Sequence, residues 1–169
     1  VPDSVRIYDT PLRSNEYLDG NMGMFLQDSW TMNRMTVNMG LRVERFTARI
    51  KDQVSTAGRF APERTFAEQN GVPSWLDLAP RLGVSYDVFG NARTAIKATF
   101  GRYMAGQTTG FPARYNPLTL QSDTRTWRDT NGDNVAQDNE IGPSNNLAFG
   151  QAVTTIRPDA DIKREYDLE

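Results

Sequence analysis

The clearest pattern in the chain lies at residues 32–44, MNRMTVNMGLRVE. Val37, Met39, Leu41 and Val43 alternate there with Thr36, Asn38, Gly40, Arg42 and Glu44. A strand turns successive side chains to opposite faces, so this run has one wholly apolar face and one polar face. A helix would scatter the four apolar residues around its circumference. The pattern returns at Leu82, Val84, Tyr86 and Val88, and again at Ile96, Ala98 and Phe100. It predicts strands over residues 34–46, 78–88 and 93–104. A less regular strand is predicted over 23–30, where Met24, Leu26 and Trp30 share a face with Asp28. Short turns are predicted at 31–33 and 89–92 from their Asn and Gly content. Residues 47–77 and 105–161 read as long loops, rich in Gly, Pro and charge. Val5 and Ile7 alternate with Arg6 and Tyr8, but Pro2 and Pro11 confine that segment to a sheet edge.

Short and long connections therefore alternate. A long connection without structure argues against a compact soluble domain. Transmembrane barrels have this asymmetry, with tight turns on one side and long loops on the other. The predicted fold class is all-β: antiparallel up-and-down strands of a transmembrane β-barrel, with residues 1–169 an open part of one barrel domain. Arg42, Glu44, Arg81, Asp87 and Lys97 on the polar faces suit a wet lumen. Trp30, Tyr86, Phe89 and Tyr103 fall near strand ends, where interfacial aromatics belong. A soluble β-sandwich burying the same faces against a second sheet remains an open alternative.

Composition narrows the chemistry. The 169 residues include no Cys and no His, which removes disulfides, thiol nucleophiles, Cys/His zinc sites and histidine acid–base catalysis. A net charge of −2 gives no reason to expect nucleic acid. No apolar run approaches the ~20 residues of a spanning helix, whereas a spanning strand needs only ~9–11. Asp77 and Asp87 lie on one strand about 33 Å apart, far beyond a glycosidase carboxylate pair. The expectation is a protein that is not an enzyme. A start at Val1 and an end at Glu169 inside a strand-like alternation read as a piece of a longer chain.

Residues 25–44 (FLQDSWTMNRMTVNMGLRVE) resemble a hairpin of TonB-dependent outer-membrane receptors. Residues 78–103 (LAPRLGVSYDVFGNARTAIKATFGRY) are similar to the next hairpin of that family. Residues 124–142 (TRTWRDTNGDNVAQDNEIG) and 157–169 (RPDADIKREYDLE) resemble a loop and following strand of its Oar-like branch. That branch carries a carboxypeptidase-regulatory-like domain ahead of the plug. The resemblance implies part of a barrel of 22 strands around a plug, in the outer membrane of a Gram-negative bacterium. It further implies partners: outer-membrane lipid, the rest of the barrel and plug, an inner-membrane energy-transducing complex, and an imported ligand of unknown identity. The plug and the energy-coupling box are not in this sequence. The alternative is a calcium-dependent adhesion or carbohydrate-binding β-domain without transport.

One stretch carries chemistry of its own. Counted on a twelve-position calcium loop, Asp129, Asn131 and Asp133 stand at positions 1, 3 and 5. Val135 would offer its carbonyl at 7, Gln137 stands at 9, and Glu140 at 12 is the bidentate position. Position 6, normally Gly, is Asn134, the non-Gly residue most tolerant of left-handed backbone. A solvated acidic turn is the equally weighted alternative. Phe111, Tyr115 and Trp127 are candidate ligand-stacking residues, or packing residues of the loop itself.

Overall fold

The computed structural model describes residues 3–152 and 162–169. In chain order the elements are β1 (Ser4–Tyr8), β2 (Glu16–Met32), β3 (Met35–Ile50), β4 (Gln53–Ser55), β5 (Arg64–Phe66), β6 (Ser74–Asp87) and β7 (Ala95–Met104). A single helical turn, α1 (Gly110–Ala113), then precedes β8 (Ser122–Thr126) and β9 (Tyr166–Leu168). The main sheet has the order β2-β3-β6-β7-β9, with antiparallel neighbours throughout. The fold is all-β, and the sheet is open.

Strand pairing sorts the side chains into rows. One face carries Met24–Val43–Leu78, Leu26–Leu41–Pro80, Asp28–Met39–Leu82–Phe100, Trp30–Val37–Val84–Ala98 and Met32–Met35–Tyr86–Ile96. The only charge in these five rows is Asp28. Its oxygens accept hydrogen bonds from the Ser29 N–H at 2.8 Å and the Trp30 Nε1–H at 2.6 Å. Five rows span about 27 Å along the strand, or ~20 Å along an axis tilted ~40° to it. Outer-membrane barrels carry an apolar band ~25 Å tall. The face is also uncovered: Met24 is 77% and Leu26 78% exposed.

Opposite rows are polar or glycine: Gln27–Gly40–Arg81–Gly101, Ser29–Asn38–Gly83–Thr99 and Thr31–Thr36–Ser85–Lys97. At one end of the sheet the connections are tight. Asn33 takes φ 49° in the β2–β3 turn, the left-handed conformation that Asn tolerates. Beyond β6, Asp87 closes the turn by accepting the Gly90 and Ala92 amides at 3.0 and 2.8 Å.

At the other end the strands run further than the sequence pattern suggests. β2 begins at Glu16 rather than 23, β3 continues to Ile50 rather than 46, and β6 begins at Ser74 rather than 78. The register of β2 on β3 shifts between Leu18 and Gly20, which breaks the period-two signal there. The intervening loops are built rather than structureless. The first holds the β4–β5 hairpin. The second holds α1 and β8, and β8 reaches back to pair with β1. Residues 153–161 of the long loop predicted over 105–161 lie outside the described residues.

These segments form a cap with its own core. Phe46, Ala48 and Ile50 continue the polar face of β3 by parity, yet they are buried. Trp75 stacks on Phe46 with ring centroids 5.7 Å apart, and Phe111 meets Trp75 edge-on at 4.8 Å. Buried polar groups tie the cap together. Arg64 Nη1 pairs with Asp9 Oδ2 at 2.8 Å, and Asp9 Oδ1 accepts the Gln121 amide at 2.8 Å. Asn116 bonds both Gln53 and Glu16, joining the second loop to the first loop and to β2.

Candidate functional site

The acidic loop follows β8 and is closed by its own side chains. Asp129 Oδ1 accepts the Gly132 amide at 2.7 Å and Oδ2 the Asn134 amide at 3.0 Å. Asn134 adopts φ 60°, the left-handed conformation its place in the loop requires. Asn131 Oδ1 accepts the Asp133 amide, and its Nδ2 donates to Asp133 Oδ2 at 2.9 Å. Asp133 also accepts the Val135 amide and the Gln137 Nε2–H. Glu140 is buried and anchors the base. Its Oε1 accepts both the Thr130 hydroxyl at 2.7 Å and the Thr130 amide at 2.8 Å, and Oε2 accepts the Trp127 indole N–H at 3.3 Å. Those Thr130 bonds, led by the hydroxyl, push the Glu140 carboxyl down to about 2. Among the described residues, no three acidic side chains converge to hold a metal ion.

The three aromatic candidates separate. Phe111 and Tyr115 stand together, ring centroids 5.3 Å apart, at the end of the Phe46–Trp75 stack. Trp127 lies instead on β8's side of the second loop, bridged to Ile141 and bonded to Glu140. Phe111, Tyr115 and Trp127 are all half-buried.

Sequence reasoning missed the group that fastens the cap to the polar face. The Arg164 side chain is buried, with Nη1 2.8 Å from Asp77 Oδ2 and Nη2 3.2 Å from Glu44 Oε2. The same Nη2 donates to the Ala105 carbonyl at 2.7 Å. Glu44 also pairs with Arg42, so both acids in this part of the polar face are neutralised. Arg81 and Lys97 have no acidic partner among the described residues; Arg81 instead lies 4.7 Å over the Tyr103 ring. Two glycines make room for large neighbours. A Cβ at Gly101 would stand 2.7 Å from the Tyr103 ring, and one at Gly23 would stand 2.6 Å from the Arg42 guanidinium. Their spacing gave the only hint of this, glycines recurring on the polar face of several strands.

Residues 3–167 match the family model of the outer membrane beta barrel domain. The chain belongs to that family. No curated protein and no solved structure matches it. Membership places this barrel domain in the outer membrane of a Gram-negative bacterium. In a barrel of this family, the exposed apolar face meets lipid and the polar face meets the lumen. The tight turns and the cap then lie at opposite ends of the wall.

Proposed function

We propose that this barrel wall belongs to a TonB-dependent receptor of the Oar-like branch, which takes up a scarce ligand and carries no catalytic activity. The hairpin and loop segments quoted above support the branch. The observation that carries the reading is the placement of the second loop. It packs α1 against the lumen-side extension of β3 and β6 through Phe111 on Trp75. An ordered loop folded onto the lumen side of the wall suits selective capture better than free diffusion. In this reading Phe111 and Tyr115, and Trp127 beside the acidic loop, are the aromatic surfaces offered to an arriving ligand.

The open edges bear on assembly. Along the membrane-level sheet, β2 pairs only with β3 among the described residues. Unpaired strand edges are not tolerated in hydrocarbon, because each unmatched backbone group costs several kcal/mol. Further strands must therefore flank β2 and complete the far edge of the sheet, as in the large barrel we propose. The remaining partners in this reading are outer-membrane lipid, a plug and an inner-membrane energy-transducing complex.

A calcium-stiffened outer loop is the second part of the proposal. It rests on the twelve-position spacing and on Asp129, which already gathers the amides of positions 4 and 6. Metal binding would require Glu140 to exchange Thr130 for the cation. Calorimetry on the folded protein should then show calcium uptake that Asp129→Ala removes; no heat at millimolar calcium would end this part. Transport itself is tested by comparing solute depletion from the medium by cells with and without the full-length protein. Uptake that requires the protein and collapses with a protonophore supports the receptor. Uptake indifferent to the protonophore indicates a passive pore, and no uptake leaves the adhesion reading.

A further inference from the structure

The one charge on the lipid-facing rows stands at their mid-height. Asp28 lies in the third of the five rows, beside Met39, Leu82 and Phe100. Its neighbours on that face are Leu26 and Trp30 along β2, and Val37, Met39 and Leu41 on β3. None of them carries a charge. Two rows, about 13 Å of strand, separate Asp28 from either end of the band, further than its side chain reaches. A carboxylate among lipid chains is costly, and ionisable groups at this depth pair with one another or with backbone.

Its two donors leave that charge uncompensated. Oδ2 accepts the neutral Trp30 indole N–H at 2.6 Å, and Oδ1 accepts the Ser29 amide at 2.8 Å. The Ser29 amide belongs to the open edge of β2. On β3 the Arg34 carbonyl accepts the Asp87 amide and the Ala48 carbonyl accepts the Val72 amide, so even-numbered residues of β3 bond on the β6 side. Bonding direction alternates along an antiparallel ladder, so Met39 bonds toward β2, and Asp28 is its bonded partner. Gln27, Ser29 and Thr31 therefore turn their N–H and C=O groups away from β3. In hydrocarbon a further strand has to pair with that edge, and it claims the Ser29 amide. The carboxylate then loses one of its two donors, and it stands on the side from which the strand arrives.

We propose that Asp28 forms an intramembrane ion pair with a Lys or Arg on the strand that flanks β2 in the complete barrel, and so fixes the register of that seam. The β3 side of Asp28 supplies no cation, and a neutral donor in place of the Ser29 amide leaves the charge unpaired. The pair requires only a closed outer-membrane barrel and is independent of energy-coupled transport. The test uses the full-length protein in bilayers, with the folded fraction read by denaturant titration. Asp28→Leu strands the partner cation in lipid and should lower the folded-to-unfolded ratio about tenfold or more. A carboxylate that simply faces lipid gives the opposite sign, because Leu relieves its cost. The same comparison in Trp30→Phe protein removes the indole bond from the difference. Disulfide trapping from Ser29→Cys identifies the flanking strand. Asp28→Lys should prevent folding, and changing one Lys or Arg of that strand to Glu should restore it. A ratio that Asp28→Leu leaves unchanged or raises would overturn the proposal. So would a flanking strand without Lys or Arg, or failure of every such exchange to restore the Asp28→Lys barrel.

Discussion

The membrane-level sheet and the cap are two regions of one set of strands, held by different physics. In the sheet, the large apolar side chains point outward and no residue of β2 or β7 belongs to the buried apolar core. Its organisation comes from continuous backbone ladders, and the solvent for its apolar face is lipid. The cap is ordered in the way of a soluble protein, by burying Phe46, Ile50, Val72 and Leu118 and by pairing buried charge. The change happens within single strands. β3 presents Leu41 to one side and Arg42 to the other, and six residues on, Ala48 on the Arg42 side is fully buried. The same parity means lumen at one height and protein core at another.

The largest effect should come from the cap's buried ion pair. Asp9→Ala leaves Arg64 buried without its partner and should destabilise the cap by about 3–5 kcal/mol. Hydrogen exchange should rise in the β1, β5 and β8 segments and stay unchanged across the turn at Asn33. On the lipid face, Leu41→Arg should destabilise the folded barrel by about 2–4 kcal/mol in bilayers, read by denaturant titration. Asn38→Arg on the lumen face of the same strand should shift it by no more than about 0.5 kcal/mol. Equal effects at these two positions would erase the distinction between the faces.

A smaller, local effect is expected with acid. The Glu140 carboxyl lies at about 2 in the folded loop, below its value of about 4.3 in an unfolded chain. A depressed folded value means its stabilisation is full above the unfolded pKa, at pH 5 and higher. It is then lost as pH falls through the folded value. Amide exchange across residues 127–142, corrected for intrinsic rates, should therefore be flat above pH 5 and accelerate toward pH 2. Glu140→Gln should remove that dependence.

How much of this was legible in the sequence follows from the same contrast. The alternation from Val37 to Val43 is readable because lipid and water impose opposite demands on neighbouring residues. Above the membrane that contrast disappears. Tyr17 and Leu18 are both largely exposed, the bulge before Gly20 shifts the phase, and the start of β2 is lost to inspection. The β1–β8 pair joins five-residue segments more than a hundred positions apart, and no local pattern encodes it. The acidic loop was visible as spacing, but the hold of Glu140 on Thr130 and Trp127 was not, since it depends on how the loop closes. Phe111 and Tyr115 read equally as ligand or packing residues, because the Trp75 ring that Phe111 meets, with Tyr115 behind it, comes from a distant strand.

β3 passes from lipid-and-lumen to buried core without changing its alternation. These 169 residues contain no cysteine, so single cysteines carrying a nitroxide can be placed at successive positions from 36 to 50 in the reconstituted full-length protein, with any cysteine outside this segment replaced by serine. Oxygen, enriched in lipid, should relax the labels at 37, 39, 41 and 43. A water-soluble nickel chelate should relax those at 36, 38, 40 and 42, and neither should reach 46, 48 and 50. Oxygen and nickel accessibility rising and falling together from 36 to 43, or the nickel chelate reaching 46 and 48 freely, would contradict the account.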